Sequence, residues 1–334
     1  MRDNSSELRQ NLVSGEWAVI ATGRGRRPDD FAKGHKSGPA QPKENCPFEN
    51  PEGEMLVSYA KNTEGEERWW VKVIPNKFPA FHKGAPSSPS KKGPYYWMEG
   101  IGYHEVIISR DHDRSIAQMS DEEIELILRA CQDRYLAIRR DECIKYISIF
   151  QNHGQEAGAS VYHPHSQIIA IPVIPPDINR SLRGSENYYH ENGKCVHCVI
   201  LEYEMEVKER LIYENEYFLA VAPYASKSAF EARIFPKIHN PNFEEIRPEE
   251  RLALANALKT VLGKLHKGLD NPDYNFFIHT SPTKEYKNSD HYHWHMEIIP
   301  KTSVWAGFEI GTGIEISTRA PEAAAEFLRN IKIT

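Results

Sequence analysis

The chain has 334 residues, of which 40% are hydrophobic and 26% charged, and a formal net charge of -6. This is the profile of an ordinary globular protein long enough for two domains or one duplicated fold, and its acidic balance speaks against a nucleic-acid-binding face while leaving room for a local anion pocket. No run of about 18 apolar residues exists to span a membrane, the polar opening MRDNSSELRQ has no secretory core, and five scattered cysteines point to a reducing cytoplasm rather than a disulfide scaffold.

In chain order, a first cysteine stands in CPFE at Cys46. A loop is expected over residues 83–95, where Pro, Ser, Gly and Lys cluster. The β-rich run HEVIISRDH then ends at His112. Ser120 and Glu123 have the spacing of a capping box, and after them Ile124, Ile127, Cys131, Tyr135 and Ile138 recur at helical spacing. The strand-like SIFQNHG follows, then a small-residue loop, Asn152 to Ser160, then YHPHSQII. Residues 173–194, rich in Pro and polar residues, read as a linker. Beyond it come CVHC, the run EARIFPKIH ending at His239, and a helix starting near Pro248 with Leu254, Leu258, Val261, Leu265 and Leu269 on one face. NFFIHTSP, YHWHMEII and a final helix in PEAAAEFLRN complete the chain.

The strongest signal is internal repetition. YHPHSQII (162–169) and YHWHMEII (292–299) agree at five of eight positions, so that His163, His165 and Gln167 correspond to His293, His295 and Glu297. The flanking strand and helix signals recur in the same order. The expected organisation is an α+β internal duplication, with halves at 1–172 and 195–334 joined by 173–194, each half an antiparallel sheet carrying one long helix.

Chemistry concentrates in the first copy. Strand alternation puts residues 163, 165 and 167 on one face, and two histidines and an amide are costly to bury there without partners. Just upstream, Asn152-His153-Gly154-Gln155-Glu156-Ala157-Gly158-Ala159-Ser160 supplies small residues whose backbone N–H groups can approach a phosphate closely. A nucleophile beside a phosphate cradle is the reading. The bland alternative, a partly exposed strand with polar decoration, does not explain why the pattern repeats.

NHGxxAGASxxHPHSQ resembles the active-site segment of galactose-1-phosphate uridylyltransferases, in the histidine triad superfamily, and each half is accordingly expected to be histidine-triad-like. Arg24 and Arg27-Pro28, CPFE, the turn Asn76-Lys77-Phe78-Pro79-Ala80, the RDH ending at His112, HYHWH and GFEIGTG follow in the family's order. The resemblance implies ping-pong transfer of UMP from UDP-glucose to galactose 1-phosphate through a nucleotidyl intermediate on His165. It assigns Gln167, Ser160, Asn152 and Gly158 to the phosphates, Arg24, Arg27, Asn76 and Lys77 to the nucleoside, and Phe308 and Glu309 to the sugar. It also implies a homodimer. Imidazole suits nucleophilic attack near pH 7, and a phosphate leaving group with a second pKa of about 6 needs no general acid.

Cys195 and Cys198, a C-x2-C pair, make a Cys2His2 zinc site with His239 and His293. Cys46, Glu49, His112 and His163 occupy the equivalent places in the first half, with Glu49 where the family pattern has a second cysteine. That site either keeps zinc through a carboxylate or is empty. His279, His291 and His295 are further ligand candidates. In the second half Glu297 is expected to repel phosphate, leaving His295 without nucleotide chemistry. Two readings compete. GFEIGTG and the AGAS segment also resemble plant ADP-glucose phosphorylases, and Phe308 and Ser303 depart from the bacterial uridylyltransferase pattern. A zinc-stabilised nucleotide-binding protein without catalysis is the other.

Overall fold

The computed structural model describes residues 6–24, 41–63, 66–85, 87–283 and 290–333. Arg27 therefore lies outside the described residues. The architecture is α+β, and its centre is one antiparallel sheet. In chain order the strands are β1 (Ser6–Gln10), β2 (Trp17–Ala21), β3 (Val57–Thr63), β4 (Glu66–Pro75), β5 (Ser90–Lys92), β6 (Tyr95–Trp97), β7 (Tyr103–Ser109), β8 (Tyr146–His153), β9 (His165–Ile171), β10 (Leu211–Glu214), β11 (Phe218–Val221), β12 (Ala232–Pro236), β13 (Tyr274–His279), β14 (His295–Pro300) and β15 (Glu315–Ser317). The helices are α1 (Asp121–Ile138), α2 (Pro176–Asn192), α3 (Val196–Val207), α4 (Pro248–Gly268), α5 (Gly307–Thr312) and α6 (Pro321–Asn330).

The sheet has ten strands in the order β10-β11-β12-β14-β13-β8-β9-β7-β4-β3. Its two halves are the two sequence repeats, read outward from the β8–β13 pair. Phe150 and Phe277, equivalent residues of the two copies, face each other at that junction. An approximate two-fold axis therefore passes between them. The duplication is as read from the sequence, but the copies share one sheet rather than owning one each. The joint is made by β8 and β13, while β3 and β10 are left as the outer edges of the sheet.

The two long helices lie on one face. Ser120 accepts from the Glu123 N–H and Glu123 accepts from the Ser120 N–H, closing the N-terminus of α1, and Pro248 occupies the first turn of α4. Ile124, Ile127, Cys131, Tyr135 and Ile138 of α1 and Leu254, Leu258, Val261 and Leu265 of α4 are buried in one continuous core. Ile147 and Ile149 of β8, Ile168 and Ala170 of β9, and Phe276 and Ile278 of β13 meet them there. Truncating a fully buried leucine such as Leu258 removes about 2–5 kcal/mol. Alternation then turns His165 and Gln167 to the opposite face, where α3 packs only over the second half, through Leu201 against Leu219, Val221 and Phe235.

Residues 173–194 are not a bare connection, since α2 occupies most of them and ends at Gly193 in the left-handed conformation. The expected loop 83–95 is not all loop: β5 and β6 form a small hairpin around Gly93 that runs on to Trp97. The first strands of the chain pack against its end: β2 pairs in parallel with β15, and Arg9 bonds Glu322 at 2.8 Å. Among the described residues no helix is long and apolar enough to cross a membrane.

Candidate active site

His165 opens β9 and is 7% exposed. Its Nδ1 lies 2.9 Å from the carbonyl oxygen of His163. A carbonyl can only accept, so Nδ1 carries the proton and Nε2 keeps its lone pair. Burial holds the imidazole below its ordinary pKa, against the bond to the His163 carbonyl. The ring is thus a neutral imidazole with a free nitrogen, and Phe48 meets it edge-on at 5.0 Å.

The glycine-containing loop follows β8. Gly154 has φ +83°, and a Cβ there would fall 1.9 Å from the carboxylate of Asp273, so only glycine fits. Asp273 accepts the Glu156 N–H at 2.7 Å. Asn275 donates through Nδ2 to Asn152 Oδ1 and to the Ala157 carbonyl, each at 2.8 Å. With its oxygen occupied, Asn152 is left with its amide N–H groups to offer. Gly158 and Ser160 are exposed on this loop, Gly158 with φ +87°. Asp273 and Asn275 belong to the second half, so the second copy builds the loop of the first. Neither is singled out in the sequence reading, and the local pattern there gives no cue, because the contact is made across the sheet junction.

Gln167 is half-buried, with Oε1 2.8 Å from His104 Nε2. His104 in turn touches the turn after β4, where Asn76 is half-buried and Lys77 and Phe78 are exposed. Arg24 ends a short 3-10 helix and is exposed. Phe308 and Glu309 sit on α5, in the second half, and no described contact joins them to His165; Phe308 is 49% exposed.

Both expected metal clusters assemble. The ligand atoms of Cys195, Cys198, His239 and His293 lie within 4.8 Å of one another, as do those of Cys46, His112 and His163. Cys198 Sγ is 3.3 Å from His239 Nδ1 and 3.6 Å from His293 Nδ1. In the first half, His112 Nδ1 is 3.2 Å from His163 Nδ1, and Glu49 Oε1 is 3.0 and 3.7 Å from those two nitrogens. His112 and His163 spend their Nε2 protons on the carbonyls of Gln41 and Ser109, and His293 spends its own on Pro236. The Nδ1 lone pairs of His112, His163 and His293 therefore face the neighbouring sulfur or carboxylate atoms, a donor set that fits a cation. Tetrahedral zinc with bonds of about 2.0–2.3 Å holds its donors roughly 3.3–3.8 Å apart. Ser109 and Pro236 are equivalent in the repeat, so each half uses the same strand end to orient its histidine.

His295 repeats the tautomer of His165, donating from Nδ1 to the His293 carbonyl at 3.1 Å. Its surroundings differ. Phe235 stacks on it at 4.8 Å, and His197 and His279 crowd it. Glu297 is not the free negative charge expected: Arg233 reaches it at 3.0 Å, with Glu231 on the other side at 3.1 Å. Burial would raise the Glu297 carboxyl, yet Arg233 and His279 hold it well below the usual carboxylate range. A cleft of about 440 Å³ runs over this region, lined by Asn152, Asn275, His279, His295, Lys301 and Trp305 among others.

Comparison with known proteins accords with this geometry. The model of the galactose-1-phosphate uridyl transferase N-terminal domain matches residues 1–175. The chain belongs to that family. A domain of unknown function also matches residues 95–331. An ADP-glucose phosphorylase of Arabidopsis thaliana is 34% identical over all of this chain and 95% of its own. A galactose-1-phosphate uridylyltransferase of Thermotoga maritima is 32% identical, over 98% of this chain and 99% of its own. Among solved structures, the Arabidopsis thaliana ADP-glucose phosphorylase with bound ADP-glucose superimposes with a TM-score of 0.80 at 32% identity, covering 98% of this chain and 100% of that one. A uridylyltransferase gives 0.74 at 27%, covering 97% of each.

Proposed function

We propose that this family member transfers a nucleoside monophosphate from a nucleoside diphosphate hexose through a covalent bond to His165. The observation that carries it is the free Nε2 of a buried imidazole that the register of β8 with β9 sets beside Asn152, against which the Gly158 turn packs. In the first step Nε2 attacks the α-phosphorus, a P–N bond forms, the bond to the bridging oxygen breaks, and hexose 1-phosphate leaves. In the second, a phosphate oxygen of the acceptor displaces His165 and carries the nucleotide away. Asn152, Gly158, Ser160 and Gln167 hold the phosphoryl oxygens in both steps. Arg24, Arg27, Asn76 and Lys77 meet the nucleoside, and Phe308 and Glu309 meet the sugar. The two metal clusters bind zinc, which when present fixes the ends of β7, β12 and the HxH segments and takes no part in the transfer.

Two donor and acceptor pairs fit this scheme. UDP-glucose with galactose 1-phosphate is one. ADP-glucose with inorganic phosphate is the other, and it is favoured by the whole-chain similarity to an ADP-glucose phosphorylase and by Ser303 and Phe308, which depart from the bacterial uridylyltransferase pattern. The test is a panel of UDP-glucose, UDP-galactose and ADP-glucose, each labelled in the α-phosphate and offered with hexose 1-phosphate or phosphate. An acid-labile adduct on His165, discharged by one acceptor, is the expected result. Binding of nucleotide with no adduct from any donor overturns the reading in favour of a non-catalytic binding protein.

A further inference from the structure

We infer that His104 is a positioning residue that fixes which end of the Gln167 amide faces the nucleotide, and that it takes this setting from the nucleoside turn. The inference rests on the role proposed for His165. The backbone N–H of Ala80 points at His104 Nδ1, 3.1 Å away. An amide N–H can only donate, so Nδ1 accepts and the ring carries its proton on Nε2. That proton has one acceptor among the described contacts, Gln167 Oε1 at 2.8 Å. Asn76 Nδ2 also lies 3.1 Å from Nε2, but it is itself a donor, held in that orientation because Asn76 Oδ1 accepts the Phe78 N–H at 2.9 Å. The backbone closes the arrangement, with the Asn76 N–H donating to the His104 carbonyl at 2.8 Å.

The consequence falls on Gln167. With Oε1 engaged, the amide presents its two N–H donors to the face it shares with His165, which suits phosphoryl oxygens. Turned over, it would present a carbonyl oxygen to those oxygens and repel them. Nothing else among the described residues fixes the choice. The second half lacks the device: by the pairing of β7 with β9 and of β12 with β14, Glu231 stands where His104 does and Glu297 where Gln167 does, and the two are joined through Arg233 rather than by a donor on the first.

The test is a double-mutant cycle on the full-length chain, reading the rate at which labelled ADP-glucose and UDP-glucose form the His165 adduct. His104→Ala and Gln167→Ala should each slow adduct formation by roughly 10- to 100-fold, the scale of one lost donor to developing charge. The double variant should be no slower than the worse single one, because both remove the same interaction. Affinity for ADP and UDP, measured by calorimetry, should change less than about threefold, a split that a general loosening of the turn would not give. His104→Gln, whose side-chain N–H can bridge the same gap, should recover much of the rate; it also keeps the test running where alanine unsettles the turn. Multiplicative losses in the double variant, or a normal rate in His104→Ala, overturn the role of His104 alone. A wild-type protein that forms no adduct with either donor removes the His165 reading, and this inference with it.

Discussion

The two halves of the sheet agree strand for strand, and four of the equivalent places at which they differ surround the central histidines. Where the first half has His104, Val106, Asn152 and Gln167, the second has Glu231, Arg233, His279 and Glu297. Both central histidines use the same tautomer, at 2.9 and 3.1 Å from the carbonyl two residues before. A reactive nitrogen is thus a property of the HxH strand itself, and what differs is whether donors for an anion surround it. In the second half Arg233 is held between two carboxylates, and aromatic and histidine rings press on His295. The second copy has kept the fold and turned its residues to other work, for Asp273 and Asn275 reach across the junction to hold the loop beside His165.

The sharpest way to break this comparison is to exchange the histidines' fates. His165→Gly should lower transfer by roughly 10⁴-fold or more, with partial rescue by imidazole, while His295→Ala should still form the adduct. Peptide mapping of the trapped nucleotide reads the outcome, and label on His295 would reverse the assignment of the halves.

A smaller effect separates the metal clusters. Purified protein should hold close to two zinc ions per chain by elemental analysis. Cys195→Ser should lose one of them and melt roughly 5–10 °C lower, as a structural site in a large domain does. Glu49→Gln should lose the other with a lesser fall. A single ion in the wild type would leave Cys46, Glu49, His112 and His163 as a hydrogen-bonded cluster.

The smallest effect sharpens the direction of support between halves. Asn275→Ala removes two bonds from the loop and should slow adduct formation by roughly tenfold. Ser148, its half-buried counterpart in the first half, should tolerate alanine within about twofold, because losing one hydroxyl opens almost no space. Equal losses at both positions would mean that support runs both ways.

Much of this was legible in the sequence because the signals are periodic or local. The HxH repeat, the capping box at Ser120, Pro248 at a helix start and the Cys-x2-Cys pair each declare themselves within a few residues, and each is found where expected. What was missed depends on pairing between distant strands. That β8 and β13 join two halves into one sheet is a pairing across some 120 residues, which no window of sequence displays. Glu297 read as a repelling charge because Arg233, on the neighbouring strand, could not be seen to neutralise it. His104 left one cue: in His104-Glu105-Val106-Ile107-Ile108 it falls on the same strand face as Val106 and Ile108, the face that carries His165.

The β8–β13 junction also bears on how the chain is made. During synthesis β8 is complete some 120 residues before β13 emerges, which at about 5–20 residues per second is roughly 6–24 s. For that interval the nascent first half carries an open strand edge with apolar side chains on one face, the feature most prone to pair with the wrong neighbour. Two copies of a nascent first half could pair through β8 much as β8 pairs with β13. The early loss of yield in destabilised variants should therefore come from premature self-pairing of unfinished chains, and slower translation of the second half should worsen it.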